Sequence, residues 1–240
     1  MVQRPNYGID APSIMTGLLM GGVTVAAAGS FIAVRYSGLL SATATIIAVL
    51  ATIAAFFGLL MLIYWLAGKK RTREAILNSV AWSGFEQVLD VGTGAGFLMA
   101  GAAHRVPHGH VVGLDAWSAI DLSNNHAEVT RRNLELEGIA DRCSVVTGDA
   151  RNLDYPDGRF DTVVSLLCLH NIEPVADRLR ACSEIARVLK PAGFAVIGDY
   201  VPTHAYAEAL QKAGLRVHQS RPAFGTALSL MWILVAEKPA

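Results

Sequence analysis

The chain has 240 residues, of which 52% are hydrophobic and 17% charged, with 22 glycines and a formal net charge of zero. That length holds one core of ordinary size plus an appendage, and the composition is apolar and charge-poor for a soluble domain. The zero is a cancellation: residues 75–240 carry 14 basic and 18 acidic side chains, a mildly acidic balance without the basic face that nucleic-acid binding requires.

Residues 13–34, "SIMTGLLMGGVTVAAAGSFIAV", contain no charge. As a helix they run about 33 Å at 1.5 Å per residue, close to the roughly 30 Å of a bilayer's hydrocarbon. Residues 39–66 form a second, longer apolar span, for which tilt or an emerging end is expected. Arg35-Tyr36-Ser37-Gly38 makes the tight connection, and Tyr36 and Tyr64-Trp65 fall at headgroup level. A cleaved signal peptide has one short apolar core, so two long spans nearly back to back predict two transmembrane helices. Lys69, Lys70, Arg71 and Arg73 follow the second span, with only Arg35 in the connection. The positive-inside bias therefore places the N-terminus and residues 69 onward in the cytoplasm of a multi-pass protein of the inner or cytoplasmic membrane. The same basic cluster is expected to attract anionic membrane lipids. Gly17/Gly21, Ala44/Ala48, Ala51/Ala55 and Ala54/Gly58 repeat at four-residue spacing. Close contact within the hairpin, a homo-oligomer through the same faces, and the general frequency of small residues in membrane helices all account for that spacing.

Residues 69–84 are expected to form a basic juxtamembrane linker with a short helix over 75–83. Residues 85–240 form the domain proper, which is expected to fold and bind its ligand without residues 1–68. Its apolar patterning predicts strands at 86–91, 110–114, 143–147, 160–167, 193–199, 215–221 and 229–236. Helices are predicted at 95–105, 122–137, 174–189 and 203–213. Strand–helix alternation over this length implies a mostly parallel seven-stranded sheet covered on both faces. Ligands of such a sheet bind outside the carboxyl ends of its strands, which singles out residues 90–97, 115–117, 148–151, 166–172 and 199–204.

"VLDVGTGAGF", residues 88–97, ends the first strand on Asp90 and then sets Gly92, Gly94 and Gly96 around Thr93. Glycines permit a sharp turn and close approach of a ligand. The spacing matches the dinucleotide fingerprint imperfectly, and no Lys-Ser or Lys-Thr follows to grip phosphate. Asp90 would repel an anion and suits a cation. Asp115, at the end of "HVVGLD", is placed to accept two ribose hydroxyls. These features favour an adenosine-bearing ligand with a positive part and no phosphate over NAD.

With "VVGLD", "VTGDARNLDYPDGRFDTVVS" and "EIARVLKPAGFAVIGDY", that turn resembles the class I S-adenosylmethionine-dependent methyltransferases, especially the group that includes the quinone- and sterol-biosynthesis enzymes. The resemblance covers most of residues 85–240 and implies a Rossmann-like α/β fold with S-adenosyl-L-methionine as cofactor. Carried over by position, Asp90 to Gly96 would wrap the methionine part and Asp115 would hold the ribose. Gly148, Asp149 and Ala150 would meet the adenine edge, with Leu166 beside the site. Ala116 or Trp117 would cover an adenine face; Trp117 suits a core or membrane-facing position equally. Asp121, Asn124 or Asn125 would lie near the cofactor's outer edge, although helix capping explains Asp121 and Ser123 as well. The family's Lys-Pro-Gly-Gly appears here as Lys190-Pro191-Ala192-Gly193, leaving one glycine for the turn.

Methyl transfer asks the protein to align the acceptor and exclude water; a base is needed only where the acceptor must lose a proton. His170 and Asn171 in "SLLCLHNIEP", and Tyr200 and His204 after the fifth strand, are the candidate catalytic residues on the acceptor side. A pocket-closing or capping role fits His170 and Asn171 too. His104, His108 and His110 lie on a turn away from the strand ends, so no metal site is expected. The function expected is a membrane-anchored methyltransferase acting on a small-molecule or lipid-like acceptor. The alternative is a non-enzymatic, membrane-bound sensor or scaffold that binds the same cofactor.

Overall fold

The computed structural model describes residues 3–118, 122–200, 203–227 and 231–240. Two long apolar helices come first, α1 (Pro12–Arg35) and α2 (Gly38–Leu77), joined by the extended residues Tyr36 and Ser37. They pack antiparallel and approach most closely at glycines, where a side chain would collide. A Cβ on Gly22 would stand 2.7 Å from the Ala55 nitrogen, and one on Gly58 2.6 Å from the Leu19 nitrogen. Gly29 closes similarly on Ala44 and Ala48. The Gly17/Gly21 pair does not take part, since a Cβ at either would meet nothing within 4 Å. Both helices widen into a π turn at the same end of the hairpin, over Gly17–Gly21 and Tyr64–Gly68.

The expected basic linker is instead the end of α2, which runs unbroken into the domain. Ile76 and Leu77 are fully buried against the sheet. Lys69 is buried beside Asp10, and the Arg73 guanidinium lies 4.5 Å from the centre of the Phe97 ring. Only Lys70 and Arg71 of the cluster stay exposed. The amphipathic run of residues 72–77 explains the difference, because Thr72, Ile76 and Leu77 share one helical face.

The domain continues as β1 (Gln87–Val91), α3 (Phe97–Ala103), β2 (His110–Asp115), α4 (Ala127–Leu136), β3 (Cys143–Thr147) and β4 (Phe160–Leu166). It ends with α5 (Val175–Val188), β5 (Leu189–Asp199), α6 (His204–Lys212), β6 (Arg216–Pro222), a turn of helix α7 (Phe224–Ala227) and β7 (Trp232–Glu237). The seven strands lie in the order β3-β2-β1-β4-β5-β7-β6, and β7 alone runs against its neighbours. One face of the sheet is covered by α5 and α6 around Leu89, Val163 and Ile185. The other is covered by α3, α4 and the end of α2 around Val88, Met99 and Val164.

Two boundaries moved. Residues 122–126, expected to start a helix, are irregular, because Leu122 bridges Asp10 and Asn124 takes a φ of 57°. β5 begins at Leu189, which pairs with Phe160 before an irregularity at the Lys190–Gly193 turn, where Ala192 adopts a φ of 61°.

Ahead of α1, residues 3–11 lie across the domain as a strap. Asn6 exchanges two hydrogen bonds with the Asn133 side chain at 2.8 and 2.9 Å, and the Tyr7 hydroxyl donates to Glu137 at 2.7 Å.

Candidate active site

The carboxyl ends of β1, β2 and β4 meet at one edge, where Val91 is in register with Leu114 and Ser165. The chain leaves β1 through Gly92, Gly94 and Gly96, all with positive φ. Their bareness is set by the protein itself. A Cβ on Gly92 would strike Cys168, one on Gly94 would sit 2.8 Å from Leu122, and one on Gly96 2.9 Å from Thr130. Beneath the turn, Asp90 is 1% exposed and accepts from the Thr93 hydroxyl at 2.8 Å. Burial pushes its carboxyl up to about 7, with the Thr93 bond opposing and nearby Asp115 adding to the shift. Asp90 thus supports the turn from below, while Gly92, Thr93 and Gly94 face the space above it.

Asp115 ends β2 with both oxygens engaged. Gly94 N–H donates to Oδ2 at 2.8 Å, and Trp117 N–H and the Asn125 amide donate to Oδ1 at 2.6 and 3.2 Å. The Asn125 amide also donates to the Ser118 carbonyl at 3.1 Å, and among the described residues its Oδ1 is buried without a partner. That orphaned acceptor beside an acceptor-only carboxylate calls for a ligand bearing hydroxyl or amino donors. Trp117 is turned aside, its indole N–H donating to Thr147 at 2.7 Å, and Ala116 and Ser118 line the space in its place. Asp121 lies outside the described residues. Asn125, one of the three residues expected near the cofactor's outer edge, lies against Asp115, although the helix expected from residue 122 also contained it; the Asn-Asn pair ahead of α4 is the signal for a left-handed break.

Gly148, Asp149 and Ala150 follow β3 and line the same space. Arg151 clasps Asp149 through Nε and Nη2 at 2.7–3.0 Å and holds its carboxyl below the usual range, while Nη1 reaches Asp177 at 2.9 Å. Asp149 is therefore a half-exposed acceptor already engaged by a guanidinium fork.

At the end of β4, Leu166 and Cys168 face the space, and residues 169–171 make one 3-10 turn. Burial pushes the Cys168 thiol up, which disfavours its thiolate. His170 Nδ1 lies 2.8 Å from Asp199 Oδ1, within ion-pairing distance but not aligned as a hydrogen bond. Fully buried Asp199 is fixed by the backbone N–H groups of His170 and Tyr200, at 3.1 and 2.8 Å, and by the Tyr206 hydroxyl at 3.2 Å. The His170 and Tyr200 rings are 4.2 Å apart. His170, Asn171 and Tyr200 come together at the cavity. His204 does not: its side chain is 80% exposed on α6, 3.3 Å from Glu208.

These groups line one cavity of about 770 Å³ that continues beyond the strand ends to the base of the hairpin. Its strong bases are Lys69, held by Asp10 at 2.9 Å, and Arg151, held by Asp149 and Asp177. Asp115 and Asn125 offer acceptors to the ribose of an adenosine-bearing ligand. Among the described residues, no group of three or more His, Cys, Asp or Glu is placed to hold a metal.

Residues 88–193 match the family model of a methyltransferase domain. Methyltransferase GfsG of Streptomyces halstedii is 33% identical over 135 residues, covering 56% of this chain and 45% of its own. Demethylmenaquinone methyltransferase of Symbiobacterium thermophilum is 35% identical over 109 residues, covering 45% and 40%. The chain thus spans less than half the length of these curated relatives. A solved structure described as a SAM dependent methyltransferase from Aquifex aeolicus superposes with a TM-score of 0.55 at 21% identity, over 69% of this chain and 88% of that one; that likeness establishes the fold.

Proposed function

We propose that this chain, whose residues 88–193 match a methyltransferase domain, is a membrane-anchored class I S-adenosylmethionine-dependent enzyme that methylates a small or lipid-like acceptor. The observation that carries the reading is that Asp115, Asn125, His170, Asn171 and Tyr200 all line one cavity. Donor and acceptor can therefore share one enclosure.

When bound, S-adenosylmethionine would supply an electrophilic methyl group on a sulfonium to the nucleophilic atom of the acceptor. Asp115 and the free Oδ1 of Asn125 would hold the ribose hydroxyls, and Leu166 gives the cavity an apolar wall that excludes water. Nε2 of His170, the ring nitrogen not turned to Asp199, would take the proton of an acceptor that must lose one. Asp199, held by three donors, would then stabilise the imidazolium.

Anchoring is supported by the hairpin's surface. Only 11% of the apolar window of α1 and 17% of that of α2 is buried, unlike the core helices of a soluble protein. Phe31, Val34 and Leu39 are 70%, 90% and 82% exposed, a continuous apolar surface that hydrocarbon would cover. Exposed Lys70 and Arg71 beyond the second span favour a cytoplasmic domain, with both chain crossings in the inner or cytoplasmic membrane.

Incubating the detergent-purified full chain with methyl-labelled cofactor, a lipid extract and a soluble metabolite extract tests the reading. Label appearing in a product of either extract is the expected result. Stoichiometric cofactor binding without transfer to any fraction would identify a sensor or scaffold instead.

A further inference from the structure

We propose that the base of the membrane hairpin is the acceptor's binding subsite: the Tyr64 hydroxyl takes the polar head of an amphipathic molecule, and Leu18, Phe57, Leu60 and Met61 receive its apolar tail. The proposal rests on the methyltransferase reading and specifies its substrate class.

Tyr64 is 6% exposed, lines the cavity, and among the described residues its hydroxyl is buried with no hydrogen-bond partner. A buried hydroxyl left unpaired is costly, and a ligand that supplies the partner accounts for its presence. The neighbouring cation is not that partner, since Lys69 is committed to Asp10 and to the Tyr7 carbonyl at 3.3 Å.

The hairpin is shaped for an occupant at this level. Leu18 lies in the first π turn and Tyr64 in the second, and π turns, which displace side chains from the regular helical pattern, occur often at functional sites. The helices touch closely at their glycines, with Gly58 against Leu19 beside the cavity, and Gly22 against Ala51 and Ala55 and Gly29 against Ala44 farther along the hairpin. Ile14 and Phe57 border the cavity and are 57% and 43% exposed, so the cavity opens beside large apolar side chains of the hairpin. They mark a mouth on the side that hydrocarbon would cover, so the tail enters from the bilayer and the head points toward His170. With Lys69 and Arg151 both paired, the head is a compact polar group rather than a phosphate.

The test compares the full chain with Tyr64→Phe and Leu60→Trp in mixed micelles carrying increasing mole fractions of a total lipid extract, together with a soluble metabolite extract. It reads label transfer from methyl-labelled cofactor, cofactor affinity by calorimetry, and thermal unfolding. Tyr64→Phe removes an unpaired buried hydroxyl, so its unfolding temperature stays level or rises, while the lipid fraction giving half-maximal transfer increases about tenfold, as for one lost hydrogen bond. Leu60→Trp fills the tail site and lowers transfer at unchanged cofactor affinity. Wild-type transfer into lipids that neither variant alters, or wild-type label found only in water-soluble products, overturns the subsite and leaves the methyltransferase reading intact. Cofactor binding with no label in either pool defeats that reading, and the subsite with it.

Discussion

The Lys69 ammonium stands 2.9 Å from the Asp10 carboxylate, with side chains 11% and 26% exposed. This pair fastens the strap of residues 3–11 to α2 beside the cavity. Asp10 also bridges Leu122, which packs on Gly94, so the strap supports the loop that carries Asn125.

Lys69→Met should therefore destabilise the fold by about 2 kcal/mol, because it leaves a largely buried carboxylate unpaired. Deleting residues 3–10 should weaken cofactor binding measured by calorimetry. An unchanged affinity in a folded deletion variant would show that the strap takes no part in the site, as the sequence alone had suggested for residues 1–68.

Asp115→Ala should cost about 2 kcal/mol of cofactor binding through lost charge-assisted bonds. Asn125→Ala should cost less, about 1 kcal/mol, from one acceptor. Calorimetry on the full chain checks both. Equal affinity in the Asp115 variant would refute its place at the ribose.

Asp90 gives stability a pH dependence of known sign. Its carboxyl is raised by burial from 3.8 to about 7, so between those values the folded chain keeps a proton that the unfolded chain releases. Stability then falls as pH rises through that window and levels off above it. Asp90→Asn removes this contribution. The unfolding-temperature difference between variant and wild type should grow in the variant's favour from pH 4 to 7, and a flat difference would contradict the burial of the charge.

His170→Ala should lower turnover by about a hundredfold or more where the acceptor loses a proton, at unchanged cofactor affinity. His204→Ala should leave turnover as it is, since that ring is exposed on α6. Single-turnover label transfer measures both, and similar rates in the two variants would remove His170 from the chemistry.

The domain was legible because its strands and amphipathic helices carry short-range patterns and its glycine turn has a single backbone explanation. What escaped depends on contacts between distant segments. Lys69 and Arg73 read as a lipid-facing cluster, yet they lie on the helical turns that carry Thr72, Ile76 and Leu77 into the core. Asn125 was placed near the cofactor but within a helix, because nothing local shows that Asp10 will hold Leu122 out of one. Tyr64 read as an interfacial aromatic, and only the assembled cavity shows its hydroxyl buried without a partner. Trp117 was left open between three surroundings, and its bond to Thr147 puts it at the edge of β3.

A structure of the full chain with S-adenosylhomocysteine tests the central claim most directly. The account predicts ribose hydroxyls on Asp115 and Asn125 and the sulfur turned toward the space that His170 and Tyr64 share. A nucleoside lodged elsewhere, or a dinucleotide pyrophosphate displacing it from that notch, would contradict it.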